Sequence, residues 1–239
     1  MAGAVSLAAA VLGGGLAGAW AAPLCRALRA ARPPVQGGAL GDAMGAGLSL
    51  GWLGGFRTLT ADLCWLRVQD RWERRDYAGT LASLRIVTAI DPGPLLFWLE
   101  GARMIAYDVP TWTAATGVAA HPTHGQARLA LAWLDRALVF HPGSAPLFIE
   151  RALIELHALH DPAGAADDFG RAAARPDAPP YAVRLQAEML RRLGRGEEAL
   201  ARLRIACARL PPGSEDRELI LLGIRRLEAD RKEAAAARH

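Results

Sequence analysis

His157 and His160 stand three apart with Asp161 next in line, a spacing that would put two imidazoles on one helix face for a metal ion. Beside Pro162 such residues are more often solvated or capping residues of a helix end, and no third ligand follows at a fixed interval. His121 and His124 form a second pair, in a stretch broken by Pro110, Gly117, Pro122 and Gly125, and also lack a third ligand. Cys207 lies near Arg204 and Arg209, whose charges would favour a thiolate, yet it adjoins Ala206 on a packed helix face where a thiol is buried and inert. Glu197 and Glu198 could act as an acid–base pair, but they open a helix, where carboxylates offset the macrodipole. The chain has no phosphate loop, no G-x-S-x-G elbow and no H-E-x-x-H pair. No catalytic, cofactor-binding or metal-ligating residue is assigned, and the reading is non-enzymatic.

Composition narrows the class further. Of the 239 residues 52% are apolar, which supports a packed core and excludes general disorder. Every basic residue except Lys232 is arginine and asparagine is absent, a pattern of GC-rich coding. The net charge is only +4, and no basic run is interleaved with aromatics, so nucleic acid is not an expected partner. Cys25, Cys64 and Cys207 are odd in number and far apart, which suggests neither a disulfide framework nor haem attachment.

Between Ala2 and Cys25 there is no charged side chain, a run long enough to cross a hydrocarbon core that needs about 20 helical residues. A membrane anchor over 1–25 is the favoured reading. A cleaved signal peptide competes, because Ala19-Trp20-Ala21 has the A-x-A form, but no basic residue precedes the apolar run. A buried soluble helix is the third reading. Arg26, Arg29 and Arg32 follow at once and lean the rest of the chain toward the cytoplasmic side of a bacterial inner membrane. Residues 26–60 then read as a linker with a packing or interfacial helix, since the uncharged part from Ala43 to Phe56 is too short to span.

Along the rest of the chain a signature of small, large apolar, small and proline residues recurs. It is seen at Ala199, Leu203, Ala206 and Pro211, and at Ala130, Leu134, Ala137 and Pro142. In a helix pair of about 34 residues the small side chains allow close approach, the large one fills the groove, and proline stops the second helix. Counting back from Pro211 gives a unit over 180–213, with Ala187 and Leu190 inward and a turn at Gly194-Arg195-Gly196. The unit 145–179 keeps Phe148, Ala152, Ala165, Phe169 and Ala172, and is one residue longer, a mismatch expected at the turn around Asp161 to Gly164. The unit 61–94 has Tyr77, Leu84 and Val87, with Thr80 in place of alanine. The unit 95–144 has Trp98, Gly101, Ala102 and Ile105, but its second helix arrives late, at Ala130, so 108–126 reads as an inserted loop.

These four copies resemble the tetratricopeptide repeat (TPR) family over about residues 61 to 231, and the stretch Ala61 to Arg67 with Asp91-Pro92 resembles bacterial membrane-anchored members. The resemblance implies an all-α, right-handed superhelical stack of about four helix pairs, closed by a polar capping helix over 214–231 before a tail at 232–239. It also implies a concave groove lined by positions 2, 5, 9 and 12 of each first helix. Carried onto this chain, these are Trp65, Gln69 and Trp72, then Leu96, Leu99 and Arg103, then Ile149, Leu153 and Leu156, then Tyr181, Arg184, Glu188 and Arg191, with Arg192 beside them. The middle of that groove is apolar and its last unit basic, with seven arginines against three acids over 180–213. TPR domains that hold chaperone carboxylates use asparagines on first helices, and this chain has none. The implied function is a protein–protein interaction scaffold or accessory subunit of a bacterial membrane complex, the alternative a receptor-like module that captures a peptide. No cofactor and no small-molecule substrate are expected.

Overall fold

The computed structural model describes residues 56–115 and 124–236. The expected anchor over 1–25, most of the linker, and residues 116–123 lie outside the described residues. Among the described residues no helix is long and apolar enough to cross a membrane.

All regular structure in these residues is helical: α1 Arg57–Glu73, α2 Tyr77–Ile90, α3 Leu95–Arg103, a π turn Met104–Asp108, α4 Val109–Ala115, α5 His124–Phe140, α6 Ala145–Ala158, α7 Pro162–Ala173, α8 Tyr181–Arg192, α9 Gly196–Arg209 and α10 Glu215–Ala236. Helix α1 packs on α2, α3 on α5, α6 on α7 and α8 on α9, and each pair meets the next through α2–α3, α5–α6, α7–α8 and α9–α10. The residues that keep the repeat register fill the interior. Leu84, Trp98, Ala130, Leu134, Ala137, Ala152, Phe169, Ala172 and Ala199 are fully buried. Two apolar clusters result, one over α1–α6 and one over α6–α10, and Leu138 of α5 packs against both.

Three of the connections within pairs are three-residue turns whose middle residue has positive φ: Arg75 at 57°, His160 at 54° and Gly194 at 76°. A left-handed residue there lets the following amide bond back to the closing helix, as Asp76 N does to Arg71 O and Arg195 N to Leu190 O, both at 2.9 Å or less. Asp76 and Asp161 then cap the second helices, Asp76 accepting from Gly79 N and Asp161 from Ala163 N and Gly164 N. A Cβ at Gly79 would lie 1.9 Å from the Asp76 carboxylate, so the cap requires glycine at that position.

Several boundaries differ from the sequence reading. Helix α1 starts at Arg57, inside the expected linker, because the buried Asp91 carboxylate accepts from Arg57 Nη2 at 2.9 Å and Thr58 Oγ1 at 3.0 Å. The extra residue of the third unit is not in its turn: the turn has the common length, and the last turn of α6 is widened, with Leu159 N bonded five residues back to Ile154 O. The expected loop over 108–126 is helical at both described ends. Pro110 cannot donate an amide to residue 106, and the first helix of that unit passes through a π turn, Val109 N bonding to Met104 O, before continuing as α4. Finally, α10 runs to Ala236, through most of the expected tail, where Lys, Glu and Ala favour helix.

Candidate functional site

The expected groove residues lie on the four first helices and differ in exposure. On α1, the Trp65 ring lies tilted against Phe97 of α3 with centroids 5.0 Å apart, and Trp72 donates its Nε1 hydrogen to Asp108 Oδ2 at 2.8 Å with Trp112 edge-on at 6.2 Å. Both indoles are thus half-buried packing groups that join α1 to the next first helix, with Gln69 half-buried between them. Leu96 is exposed and Leu99 half-buried on α3. Ile149 on α6 is buried, while Leu153 and Leu156 stay half-open.

Arg103 does not stand free in the groove. It donates to the buried Glu150 of α6 through Nε at 3.0 Å and Nη2 at 2.9 Å, and to Glu100 through Nη1 at 2.8 Å. The Glu150 bond holds the guanidinium charge more firmly than usual. Beside it, burial and then the Glu150 charge push the Tyr107 phenol up to about 12, so it remains a neutral hydroxyl on this surface.

On α8, Tyr181 is exposed and Arg184 half-buried. Glu188 accepts from Arg191 Nε and Nη2 at 2.9 Å and from Arg192 Nε at 3.0 Å. Those bonds, Arg191's first, pull the Glu188 carboxyl down to about 2. The basic end of the expected groove is therefore partly neutralised from within. Helix α10 also borders it: an open cavity of about 180 Å³ is lined by Arg184, Glu188 and Arg191 together with Leu219, Gly223 and Arg226. The Arg184 Nε inside this region is buried without a hydrogen-bond partner.

A second cavity, of about 390 Å³, lies between α7, α8 and α9, with Val183, Gln186, Ile205 and Arg209 on its walls. The sequence reading missed it. Its one signal was Ile205, an exposed apolar residue beside the packed face of α9. Sequence reasoning also misses Tyr107, Asp108 and Trp112, which fall in or next to the stretch that reads as a loop.

The residues considered for chemistry do not assemble. His157 lies in the last turn of α6 and His160 beyond it at positive φ, so they do not share a helix face, and both are exposed. His124 opens α5 and is exposed, and His121 lies outside the described residues. Among the described residues no three His, Cys, Asp or Glu side chains converge as metal ligands. Cys207 is buried and takes the inward place on α9, where the repeat register put Ala206, which is only half-buried. Cys64 is half-buried, and burial pushes its thiol up against the opposing charge of Arg67.

No protein-family model and no curated protein matches the chain. Among solved structures it is similar to TTC0263, a thermophilic TPR protein in Thermus thermophilus, at 22% identity, covering 68% of this chain and 79% of that one, with a TM-score of 0.42. It is also similar to two crystal structures of MamA. One is at 15% identity, covering 73% of this chain and 90% of that one with a TM-score of 0.42, and the other at 13%, covering 71% and 96% with a TM-score of 0.39.

Proposed function

We propose that this protein is a non-enzymatic protein–protein interaction scaffold of the TPR type, held at a bacterial inner membrane by residues 1–25 as a single-pass accessory subunit of an envelope complex. The observation that carries the scaffold reading is the open apolar face of the first helices. Leu96 is 54% exposed and Tyr181 44% exposed at the same position of their units, with Leu99, Leu153 and Leu156 half-open between them. The neighbouring charges Arg103, Glu150, Glu188 and Arg191 are spent on one another. Large apolar side chains left open at repeat-equivalent positions suit a partner segment that lies across successive units, with its acidic end toward Arg184 and Arg192. The uncharged run from Ala2 to Cys25 and the arginines that follow it support the anchor.

The test is purification of the tagged full-length protein from its native membrane in mild detergent. One protein should come with it at fixed ratio, and Leu96→Glu with Leu153→Glu should remove that protein while leaving the helical content intact. Recovery of no partner at fixed ratio, or of the same partner by the variant, overturns the scaffold reading. Full-length protein in the soluble fraction, or a mature chain beginning near Ala22, overturns the anchor.

A further inference from the structure

Arg151 of α6 and Gln186 of α8 hold the same place in successive first helices, each one residue before an inward alanine, Ala152 or Ala187. Their surroundings differ. At the junction of α5 with α6, Arg151 donates to Asp135 of the preceding second helix and, at 2.8 Å, to Asp168 of its own. Counted from the register alanines Ala130, Ala165 and Ala199, the matching places at the junction of α7 with α8 are Gly170 for Asp135 and Arg202 for Asp168. Both carboxylates are gone there. Gln186 is only 8% exposed, and among the described residues its amide has no hydrogen-bond partner, a costly state for a buried polar group. It lies so close to Gly170 that a Cβ on that residue would strike it, and both residues line the open cleft of about 390 Å³.

The cleft also lacks an aromatic ring. Trp98 and Phe148 fill the fourth place of the second and third units and are buried, whereas the fourth unit has the smaller, half-buried Val183, which lines the cleft together with the exposed Ile205. Its rim is basic. Arg202 and Arg209 are exposed; among the described residues Arg202 meets only Glu198, at 3.7 Å, Arg209 has no ion-pair partner, and no Asp or Glu lines the cleft.

We propose that this cleft docks a protein segment in which an acidic side chain adjoins a large apolar one. The carboxylate takes the place that Asp135 has at the preceding junction, facing the Gln186 amide and Arg202, and the apolar side chain lies over Val183 and Ile205, where the two units before carry a ring of their own. An open cleft between helices suits a chain that passes through it, whereas small-molecule sites bury most of their ligand. The site is separate from the open apolar face of the first helices, because helical spacing sets Val183 and Gln186 on the opposite side of α8 from Tyr181, Arg184 and Glu188.

The experiment selects binders to the full-length protein, held in mild detergent, from a displayed library of short random peptides. The selected peptides should carry Asp or Glu next to Phe, Trp or Leu. Gly170→Asp with Gln186→Arg rebuilds the ion pair of the α5–α6 junction, and should weaken such a peptide at least about tenfold without lowering the thermal midpoint. Arg202→Gln with Arg209→Gln changes only exposed side chains, and should weaken it by about fivefold and remove the preference for a carboxylate over its amide. Leu96→Glu with Leu153→Glu should leave the affinity unchanged, so that failure of this site and failure of the first-helix face are told apart. A selection that yields no peptide, peptides without an acidic residue, or an affinity that either the rebuilt pair or the loss of the two arginines leaves intact overturns the proposal. So does dimerisation of the protein that the rebuilt pair abolishes, which would make a second copy the occupant. Quenching of a fluorophore at Ile205→Cys by brominated lipid in nanodiscs would overturn it in favour of the bilayer surface.

Discussion

Arg103 and Glu150 join two successive first helices through one carboxylate oxygen, Glu150 Oε2, which accepts from both Nε and Nη2 of Arg103. The two ends are unequal, because the Arg103 side chain is 49% exposed and that of Glu150 only 4%.

That inequality predicts an asymmetric response to mutation. Arg103→Met strands a buried carboxylate and should cost about 3 kcal/mol. Glu150→Gln leaves an arginine that can turn to water and to Glu100, and should cost about 1 kcal/mol. Urea unfolding of the two variants measures the difference. Equal losses would mean that the pair is no more than a surface contact.

Glu155 on α6 gives a pH dependence with a definite sign. Burial first, and the negative Asp168 next, raise its carboxyl from the usual 4.5 to about 7, against the opposing charges of Arg151 and Arg171 and with Asp161 adding to the rise. One of its oxygens is buried without a partner. The folded state therefore binds a proton more tightly than the unfolded chain, so this group's contribution to stability falls as pH rises from about 4.5 through about 7. Glu155→Gln should flatten that part of the stability profile and be the more stable protein at pH 8.5. Parallel denaturation curves at pH 5.5 and 8.5 would show a wild-type slope unchanged in the variant if this assignment is wrong.

The three-residue turns predict a stabilising change. His160 takes the same left-handed conformation that Gly194 takes in the last unit, and it does so with a Cβ. His160→Gly should relieve strain and stabilise the protein by up to about 1 kcal/mol, less the added freedom of the unfolded chain. A clear loss in thermal melting would show that the imidazole itself contributes to the turn.

The last helix pair tests the repeat register. Ala199 is fully buried where α9 meets its neighbours, so Ala199→Leu should cost about 1–3 kcal/mol by overpacking. Ala206 is half-open and borders the larger cavity, and Ala206→Leu should cost less than Ala199→Leu. Thermal melts that rank the two the other way would contradict the orientation of α9.

The register was legible because it is written in volume. Alanines at Ala130, Ala137 and Ala199 and large residues at Leu134 and Leu203 mark close helix contacts whatever the rest of the unit does. The π turn was not legible: Pro110 with Gly117 and Pro122 reads as a loop, whereas a proline can also be carried by a widened helix when the turns around it are buried, as Met104, Ile105 and Ala106 are. Exposure in the candidate site was equally hidden. Position 5 of a first helix gives a buried Ile149 in one unit and a half-open Leu99 in another, and only the facing helices decide which. The pairing of Glu188 with two arginines could be seen as i,i+3 and i,i+4 spacing, but not the approach of α10 to Arg184 and Arg191.

That pairing shapes the last prediction, which rests on the proposed partner surface. Arg184, Arg191 and Arg192 should draw the acidic end of a partner, yet Glu188 holds Arg191 and Arg192 and lowers the net charge of the patch. Glu188→Gln should release both guanidinium groups and raise partner recovery at low salt, while changing all three arginines to glutamine should lower it and flatten its salt dependence. The two variants move the local charge in opposite directions on the same helix face, so a general loss of folding cannot imitate the pattern. Recovery that is undiminished by the triple change and independent of salt would leave these arginines as a solvated face, and would move the contact to the apolar side chains around Leu96 and Leu153.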